Sequence, residues 1–348
     1  SKTYHPYPVV GLITPWNFPI TLFLMDAAPA LAAGCAVLAQ SSEETPLTCA
    51  RVVEGWHEIG APPVLAHVVG AGEAGASVVD AADFVQFTGS TATGRAVAIR
   101  CAEHLKPVSL ELGGKDPAIV LEDADLARAV EGIAWGGLFN AGQVCISVER
   151  VYVVAEIYDE FVARLTQRVR SLAQGAATGD DVGAMVTARQ VEIADRHVSQ
   201  AVAAGARVLA GGTRSAVGNY YAPTVLVGVD HTMACMTEET FGPTIPVMLV
   251  ADEDEAIRLA NDSAYGLSAT VWTRDHARAQ RIAKRLDAGA VNINDVFSNL
   301  FATTLPHSGW KASGIGARLG GAYGLHKYCR VQAVTEPRTP VPARELTW

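Results

Sequence analysis

A single cysteine, Cys145, stands in the polar, glycine-bearing segment FNAGQVCISVER, which runs from Phe139 to Arg150. A thiolate is a strong nucleophile toward electrophilic carbon, and polar turns are where enzymes commonly expose such groups. The alternative is that Cys145 is a small buried hydrophobe, which is the usual role of an unpaired cysteine. This segment alone leaves both interpretations open.

Two glycine-rich turns are candidates for binding a phosphate. The segment GAGEAG, residues 70–75, follows a predicted strand and has the spacing GxGxxG, in which glycines let backbone N–H groups approach a pyrophosphate. The segment FTGSTATG, residues 87–94, places hydroxyl side chains and two glycines before a predicted helix, where free N–H groups suit the same ligand. A simple helix N-cap is the alternative for this second turn.

The composition excludes several classes of protein. The chain has 348 residues, of which 49% are hydrophobic and 18% charged, so it can bury the cores of two domains. Its apolar runs are too short to cross a bilayer, and a net charge of -9 without a basic cluster argues against nucleic acid as a partner. The six cysteines lack CxxC or Cys/His spacing, so we expect no metal site and no disulfide framework. These features predict a soluble cytoplasmic protein that acts on small molecules.

The elements that must position these residues alternate between short β-branched runs and longer helical patterns, which is typical of a parallel sheet with crossover helices. In the first part, strands are predicted at 9–13, 36–40, 65–69, 84–89 and 108–113, and helices at 21–34 and 43–60. This pattern predicts a doubly wound, Rossmann-like sheet that binds its ligand at the carboxyl ends of its strands. From about residue 114, predicted helices at 157–173 and 187–206 and four further strands indicate a second α/β domain.

Seven segments, taken in order, resemble those of the aldehyde dehydrogenase superfamily: TPWNFP at 14–19, SSEETP at 41–46, FTGSTATG at 87–94, LELGGK at 110–115, FNAGQVC at 139–145, EETFGP at 238–243 and SGWKASGIG at 308–316. They span nearly the whole chain. The resemblance implies an NAD(P)-binding domain over residues 1–113, a catalytic domain over 114–318, and a C-terminal return with an oligomerisation arm over 319–348. The family's N-terminal part has no counterpart here, so the sequence is expected to be N-terminally incomplete.

The resemblance also assigns catalytic roles. It makes Cys145 the nucleophile, Asn17 a donor to the oxyanion and Glu111 the general base. Addition of an ionised Cys145 to an aldehyde gives a thiohemiacetal, loss of hydride to NAD(P) leaves a thioester, and water activated by Glu111 releases the carboxylate. It further implies a homodimer or homotetramer.

For the cofactor, the resemblance selects the second glycine turn, with Gly89, Ser90 and Gly94, and reduces GAGEAG to a tight turn. The other cofactor-binding residues that it implies are Trp16, Gln40, Glu43, Leu112, Glu239 and Phe241. A carboxylate at Glu43 would hydrogen-bond the adenosine ribose and repel a 2′-phosphate, which favours NAD over NADP.

Three positions depart from the family's pattern. Gln40 stands where a lysine is common, so it cannot supply a cationic contact to the ribose. Asp26 stands where many relatives carry a lysine, which puts a proton relay through that position in doubt. His307, in PHSG where PFGG is usual, is expected to be structural or to contact another subunit.

Two other functions fit parts of the sequence. Enzymes of this fold that transfer the acyl group to coenzyme A generally lack the base, so Glu111 argues for hydrolysis. A catalytically silent nucleotide-binding homologue is the alternative from a different class. The missing N-terminal part supports it, whereas the joint presence of Cys145, Glu111 and Asn17 opposes it.

The substrate and the assembly are less constrained. The segment NAGQVCISVERVYV is similar to that of succinate-semialdehyde dehydrogenases, in which Arg150 would hold a substrate carboxylate, but an arginine there can equally brace the loop. A general aliphatic or aromatic aldehyde is an equally compatible substrate. Residues 327–336 resemble the family's C-terminal strand, which pairs across subunits, and the proline-rich tail at 335–348 is expected to run over a surface.

Overall fold

The computed structural model describes residues 1–336, so most of the predicted proline-rich tail, residues 337–348, lies outside the described residues. Within the described range the strands, numbered β1 to β19 in chain order, are Lys2–Pro6, Val9–Thr14, Ala36–Ser41, Leu65–Val69, Phe84–Thr88, Val108–Glu111, Asp116–Val120, Val148–Val154, Arg207–Ala210, Thr224–Val227, Thr244–Val250, Tyr265–Gly266, Ser268–Trp272, Ala290–Ile293, Pro306–His307, Trp310–Lys311, Gly314–Ile315, Arg318–Leu319 and Cys329–Ala333. The α-helices, α1 to α12, are Pro19–Ala33, Pro46–Glu58, Gly72–Ala81, Thr91–Glu103, Leu126–Leu138, Tyr158–Arg170, Ala188–Ala203, Ala234–Thr237, Glu253–Asn261, His276–Ala283, Ser298–Phe301 and Ala322–His326.

The first sheet has six strands in the order β17, β6, β5, β2, β3, β4. All neighbours are parallel except β17, which pairs antiparallel with β6. Local sequence explains the helices between these strands: α1 and α2 both begin with a proline in the first turn, and Gly34 ends α1 with φ +98°, as predicted. The α/β fold with a doubly wound first sheet is therefore confirmed.

The second sheet has seven strands in the order β14, β13, β7, β8, β11, β10, β9, and the largest hydrophobic core packs around it. The sequence prediction missed β7 and β8. Strand β8 carries Glu149 and Arg150, whose charges mask its strand pattern, yet all seven of its residues are buried. Both charges have partners inside the protein, which is what permits their burial.

The chain returns to the first sheet near the end of the described range. Gly314 of β17 pairs with Glu111 of β6, and His307 of β15 pairs with Arg318 of β18. The segment SGWKASGIG thus lies beside LELGGK, although about 200 residues separate them. The predicted division at residues 113 and 318 stays a prediction, and β17 belongs to the first sheet.

The predicted C-terminal strand is present as β19, and its partner in the structure is β1 of the same chain. The pairing of this strand across subunits therefore stays a prediction.

No helix within residues 1–336 is both long and apolar enough to span a bilayer. Over the same range, no three His, Cys, Asp or Glu side chains are grouped as a metal site requires, and all six cysteines are free thiols.

Candidate active site

A cleft of about 980 Å³ opens where the parallel strands of the first sheet end. The following of the twelve predicted site residues line it: Trp16, Asn17, Gln40, Glu43, Gly89, Ser90, Leu112, Cys145, Glu239 and Phe241. Gly94 and Glu111 do not. The cleft lies where ligands bind in open parallel sheets, at the carboxyl ends of the strands.

A left-handed turn carries Cys145 to the cleft wall. Asn140, Ala141 and Gly142 all have positive φ angles, of 52°, 55° and 72°. A Cβ on Gly142 would lie 2.1 Å from the carbonyl oxygen of Gly242, so this position requires glycine. The glycine that made the segment conspicuous in the sequence is thus what allows the turn.

Asn17 is held against this turn by two hydrogen bonds. Its side-chain Nδ2 donates to the backbone carbonyl oxygen of Gln143 at 3.0 Å, and its backbone carbonyl oxygen accepts from Asn140 Nδ2 at 3.1 Å. The side chain of Gln143 is fixed in turn, because its Oε1 accepts from the backbone N–H of Val186 at 2.9 Å. An amide carries two N–H groups, so Asn17 has a second donor for an oxyanion.

The thiol of Cys145 is partly exposed but lies deep in the protein. Burial, and then the nearby carboxylate of Glu111, raise the pKa of Cys145 to about 12. The expectation that this sulfur is held ionised is therefore wrong for the structure described here. The physical reason is that burial disfavours the thiolate and that the nearby acidic groups, Glu111 first, add to this effect against the opposing charge of Arg318.

Glu111 is the last residue of β6 and is 3% exposed. Burial raises the pKa of its carboxyl to about 8, against the opposing effect of the Arg318 and Lys327 charges. Its Oε1 receives no hydrogen bond from residues 1–336, and its Oε2 lies 3.5 Å from Nε2 of His307. The carboxyl is thus close to Cys145 and shielded from water, which suits a base that works near neutral pH.

A buried ion pair lies behind Glu111. Arg318 donates to both carboxylate oxygens of Asp26, at 3.0 and 2.7 Å, and Lys327 donates to Gln86 Oε1 at 2.7 Å. The sequence analysis singled out Asp26 but missed Arg318 and Lys327. The signal was available, since a buried aspartate in place of a lysine requires a compensating cation.

The start of α4 lines one end of the cleft. Ser90 is the N-cap, and its Oγ accepts from the backbone N–H of Thr93 at 3.2 Å. The N-cap alternative therefore holds, while Gly89 and Ser90 also line the cleft. Gly94 lies beneath the cleft wall, where a Cβ would come within 2.4 Å of Leu112 Cδ2.

The segment GAGEAG does more than make a tight turn. Gly72 begins helix α3, and both Gly72 and Gly75 line the cleft opposite α4. The reduction of this segment to a turn is therefore wrong, because two helices, α3 and α4, face the same ligand space.

Gln40 and Glu43 present acceptors to this end of the cleft. Gln40 Nε2 donates to the carbonyl oxygens of Ser41 and Gly70, which leaves its Oε1 as the free group. Glu43 is exposed on the cleft wall. Neither side chain offers a donor to a phosphate.

A buried ion pair positions the segment EETFGP. Lys115 Nζ lies 2.6 Å from Glu149 Oε2, and the Glu149 carboxylate accepts from the backbone N–H groups of Thr240 and Phe241, both at 2.8 Å. Phe241 has φ +51° and packs edge-on against Trp16, with ring centroids 5.4 Å apart. Sequence reasoning missed both members of this pair, since neither touches the cleft.

Glu239 faces the cleft from the same segment. Its Oε1 accepts from the backbone N–H of Gly114 at 3.0 Å, and burial raises its pKa to about 8. It can therefore offer an acceptor to a ligand hydroxyl, and the contact with the nicotinamide ribose that the resemblance implies stays a prediction.

An aromatic cluster adjoins the Cys145 turn. Phe18 stacks on Phe139 at 5.9 Å, and Trp135 contacts Phe139 and Phe297 at 5.4 and 4.9 Å. Phe18 directly follows Asn17 in the sequence. Because Trp135 and Phe139 are partly exposed, the cluster presents an apolar surface beside the nucleophile.

Arg150 does not reach this surface. It is 1% exposed, and its guanidinium donates to the carbonyl oxygens of Lys115, Leu259 and Ala260 and to the hydroxyl of Tyr152. Arg150 therefore braces the protein interior and does not hold a substrate carboxylate.

The family model described as "Aldehyde dehydrogenase family" matches residues 1–334. A 4,4'-diapolycopene aldehyde oxidase of Methylomonas sp is 44% identical over 345 residues, covering 99% of this chain and 64% of that protein. A Mycolicibacterium smegmatis protein, provisionally named an NADP(+) succinate-semialdehyde dehydrogenase, is 43% identical over 343 residues, covering 96% and 66%. The chain thus spans about 64–66% of the length of these relatives.

Solved structures of aldehyde dehydrogenases are also similar to this chain. An aldehyde dehydrogenase of Mycobacterium tuberculosis complexed with NAD+ is similar with a TM-score of 0.93 and 36% identity, over 98% of this chain and 71% of that one. An NAD-dependent aldehyde dehydrogenase of Sinorhizobium meliloti gives a TM-score of 0.94 and 38% identity, over 98% and 69%.

Proposed function

Since the chain belongs to the aldehyde dehydrogenase family, we propose that it oxidises an aldehyde to a carboxylic acid with NAD as hydride acceptor. Cys145 is the nucleophile, Asn17 the oxyanion donor and Glu111 the base. The observation that carries this proposal is that Cys145 and Asn17 line one cleft while Glu111 lies close enough to influence the Cys145 thiol. Three separate parts of the chain supply these groups.

The first half of the reaction uses Cys145 and Asn17. The thiol is protonated at rest, so its proton passes to water in the cleft as sulfur bonds to the carbonyl carbon. The carbonyl oxygen becomes an oxyanion, which receives hydrogen bonds from the free N–H of Asn17 and the backbone N–H of Cys145. The carbon then gives up its hydrogen with both electrons, and a thioester remains.

The second half uses Glu111. After the carboxyl has lost its proton to solvent, it accepts one from water, whose oxygen attacks the thioester carbon. The carbon–sulfur bond breaks, the proton taken up by Glu111 passes to the leaving sulfur so that Cys145 is again a thiol, and the acid loses its remaining proton to solvent as the carboxylate leaves. Because burial raises the pKa of Glu111 to about 8, we expect hydrolysis to quicken as pH rises toward that value.

The cofactor site fits a dinucleotide. When bound, NAD supplies the hydride acceptor. The start of α4 offers N–H groups to the pyrophosphate, Gln40 and Glu43 offer acceptors to one ribose, and Glu239 offers one to the other. The volume of about 980 Å³ accommodates a ligand of this size.

The substrate that the site favours is an apolar aldehyde. Trp135 and Phe139 present hydrophobic surface beside the Cys145 turn, with Phe297 buried beneath them, and Arg150, the residue invoked for a succinate-semialdehyde carboxylate, is enclosed. A carotenoid-derived aldehyde, as the name of the Methylomonas relative implies for that protein, belongs to the same chemical class.

The test is rapid mixing of the protein and NAD with a panel of octanal, benzaldehyde and succinic semialdehyde, with NADH followed by absorbance. We expect a burst of NADH near one equivalent with the apolar aldehydes. Cys145→Ala should abolish the burst, and Glu111→Gln should keep it but slow the following steady phase by at least about a hundredfold.

Two outcomes contradict the proposal. Absence of a burst at every NAD concentration supports the catalytically silent alternative, and normal steady turnover of Glu111→Gln shows that another group is the base. A strong preference for succinic semialdehyde would contradict the proposed apolar substrate but not the proposed oxidation reaction.

We also propose a homo-oligomer, a dimer or tetramer, in a reducing cytoplasmic setting. The support for assembly is the two-stranded sheet of β1 and β19, in which Val331 is exposed, as is Val334 directly after β19. The support for the compartment is the set of six cysteines without bridging partners within residues 1–336.

A further inference from the structure

His307 is placed against the catalytic centre by strand pairing. It lies on β15, where it pairs with Arg318 of β18, while β17 of the same C-terminal return pairs with Glu111. The imidazole is 4% exposed, and its Nε2 lies 3.5 Å from Glu111 Oε2. Its burial is incompatible with the expected contact to another subunit.

A chain of hydrogen bonds fixes the orientation of the amide beside this histidine. The backbone N–H of Asn299 donates to Asn292 Oδ1 at 3.0 Å, so the other group of the Asn292 amide is the NH2. That group donates to Asn299 Oδ1 at 3.1 Å. The Asn299 NH2 therefore points to His307, 3.4 Å from its Nδ1.

This orientation decides the tautomer of His307. An NH2 group is only a donor, so the Nδ1 that faces it must carry the lone pair. In the neutral ring the proton then sits on Nε2, the nitrogen that faces Glu111. Burial lowers the pKa of His307 to about 4, so the ring is neutral at physiological pH.

The proposal rests on the proposed function. We infer that His307 is a positioning residue for the general base: its Nε2–H donates to Glu111 Oε2, orients the carboxyl and stabilises its ionised form. The contact of 3.5 Å belongs to the resting carboxyl, and it shortens when Glu111 ionises, because donors approach charged acceptors more closely.

Three charged groups near this contact also affect the pKa of Glu111, so they must stay unchanged when His307 is replaced. Arg318 on β18 and Lys327 beyond α12 lower the pKa of Glu111, whereas Asp26 on α1 raises it. All three stay in place in a variant of His307, so a change in the pH profile reports on the imidazole.

The test compares His307→Leu, which removes the donor, with His307→Gln, which keeps an N–H at a similar reach. After the NADH burst, decay of the acyl-enzyme is followed by intact-protein mass spectrometry between pH 6 and 9. We expect His307→Leu to slow hydrolysis about tenfold at pH 7 and to move the acidic limb of the profile up by about one pH unit, with the burst retained. The hydrolysis rate of His307→Gln should remain within about threefold of the parent rate. The control His57→Leu, at an exposed histidine on α2, should hydrolyse at the parent rate.

If His307→Leu changes neither the rate of hydrolysis nor its pH profile, the proposal is overturned. If the parent enzyme forms no acyl-enzyme, the proposed function itself is overturned. A second measurement does not depend on turnover or on the stability of a variant. Nitrogen-15 shifts of His307 in the parent protein should show the proton on Nε2, and a proton on Nδ1 overturns the proposal.

Discussion

At the scale of single residues, the surroundings that suit Glu111 to its proposed role as a base lower the stability of the fold. Its carboxyl is buried without a hydrogen bond to Oε1 from the described residues, and its pKa rises from 4.5 to about 8. Between these two values the folded protein holds a proton that the unfolded chain releases, so stability falls as pH rises from about 4.5 to 8. Function is favoured by the same environment that disfavours folding.

The first prediction at this scale is that Glu111→Gln stabilises the protein while it stalls turnover. We expect a gain of about 2 kcal/mol in the free energy of unfolding at pH 8 and little change at pH 5, since the neutral amide avoids the loss on ionisation. Urea denaturation at both pH values measures it. The control, Glu156→Gln, alters an exposed carboxylate and should change stability by less than about 0.5 kcal/mol. An equal effect of Glu111→Gln at both pH values contradicts the argument.

The sequence predicted the candidate reactive residues more completely than the buried residues that hold them in position. Cys145, Asn17 and Glu111 carry the resemblance because their side chains act directly. Arg318, Lys115 and Glu149 act through other residues, and their partners are up to 292 positions distant in the chain, as for Arg318 and Asp26. His307 was noticed only as a departure, because its neighbour Glu111 becomes adjacent through strand pairing alone.

At the scale of elements, the turn from α5 into the cleft depends on close backbone approach. Its critical position is Gly142, with φ +72° and with a backbone carbonyl where a Cβ would stand. The turn cannot relax locally, since Gln143 is held by Val186 and Asn17.

We therefore expect Gly142→Ala to lower the free energy of unfolding by at least about 2 kcal/mol and to reduce the NADH burst. Gly183→Ala is the matched control, because a Cβ there meets no atom within 4 Å, and it should be near neutral. Thermal unfolding of both variants measures the difference. A Gly142→Ala protein with parental stability and burst would show that the turn tolerates a side chain.

Element prediction from the sequence succeeded where hydrophobic patterns were plain. Strand β5 and helices α6 and α7 fall within the predicted ranges, and strands β2 and β3 extend one residue beyond theirs. Strand β8 failed because two of its buried residues are charged, and β7 failed because Asp116 and Pro117 break its apolar run. A single sequence does not reveal that such charges will find partners in the core.

At the scale of the whole molecule, the distribution of charge bears on the choice between NAD and NADP that the proposed function implies. The chain has a net charge of -9, and Glu43 and the acceptor Gln40 Oε1 face the cleft end assigned to the adenosine ribose. A 2′-phosphate would bring negative charge to acceptors that can neither donate to it nor neutralise it.

We expect kcat/KM with NAD to exceed that with NADP by at least about tenfold, and the ratio to narrow as salt is raised. Glu43→Gln should narrow the ratio several-fold, whereas Glu54→Gln, on the exposed side of α2, should leave it unchanged. Steady-state kinetics with both cofactors provide the measurement. A preference for NADP, as in the name of the Mycolicibacterium relative, would show that groups other than these two select the cofactor.

The antiparallel pairing of β17 with β6 bears on how the protein emerges from the ribosome. Until residues 314–315 are synthesised, β6 is the outer strand of the first sheet, and Glu111 stands at an open edge in contact with water. The carboxyl is desolvated only when this late segment docks and brings His307 and Arg318 with it. The surroundings of Glu111 are therefore completed only after the ribosome has added about 200 further residues beyond the carboxyl itself.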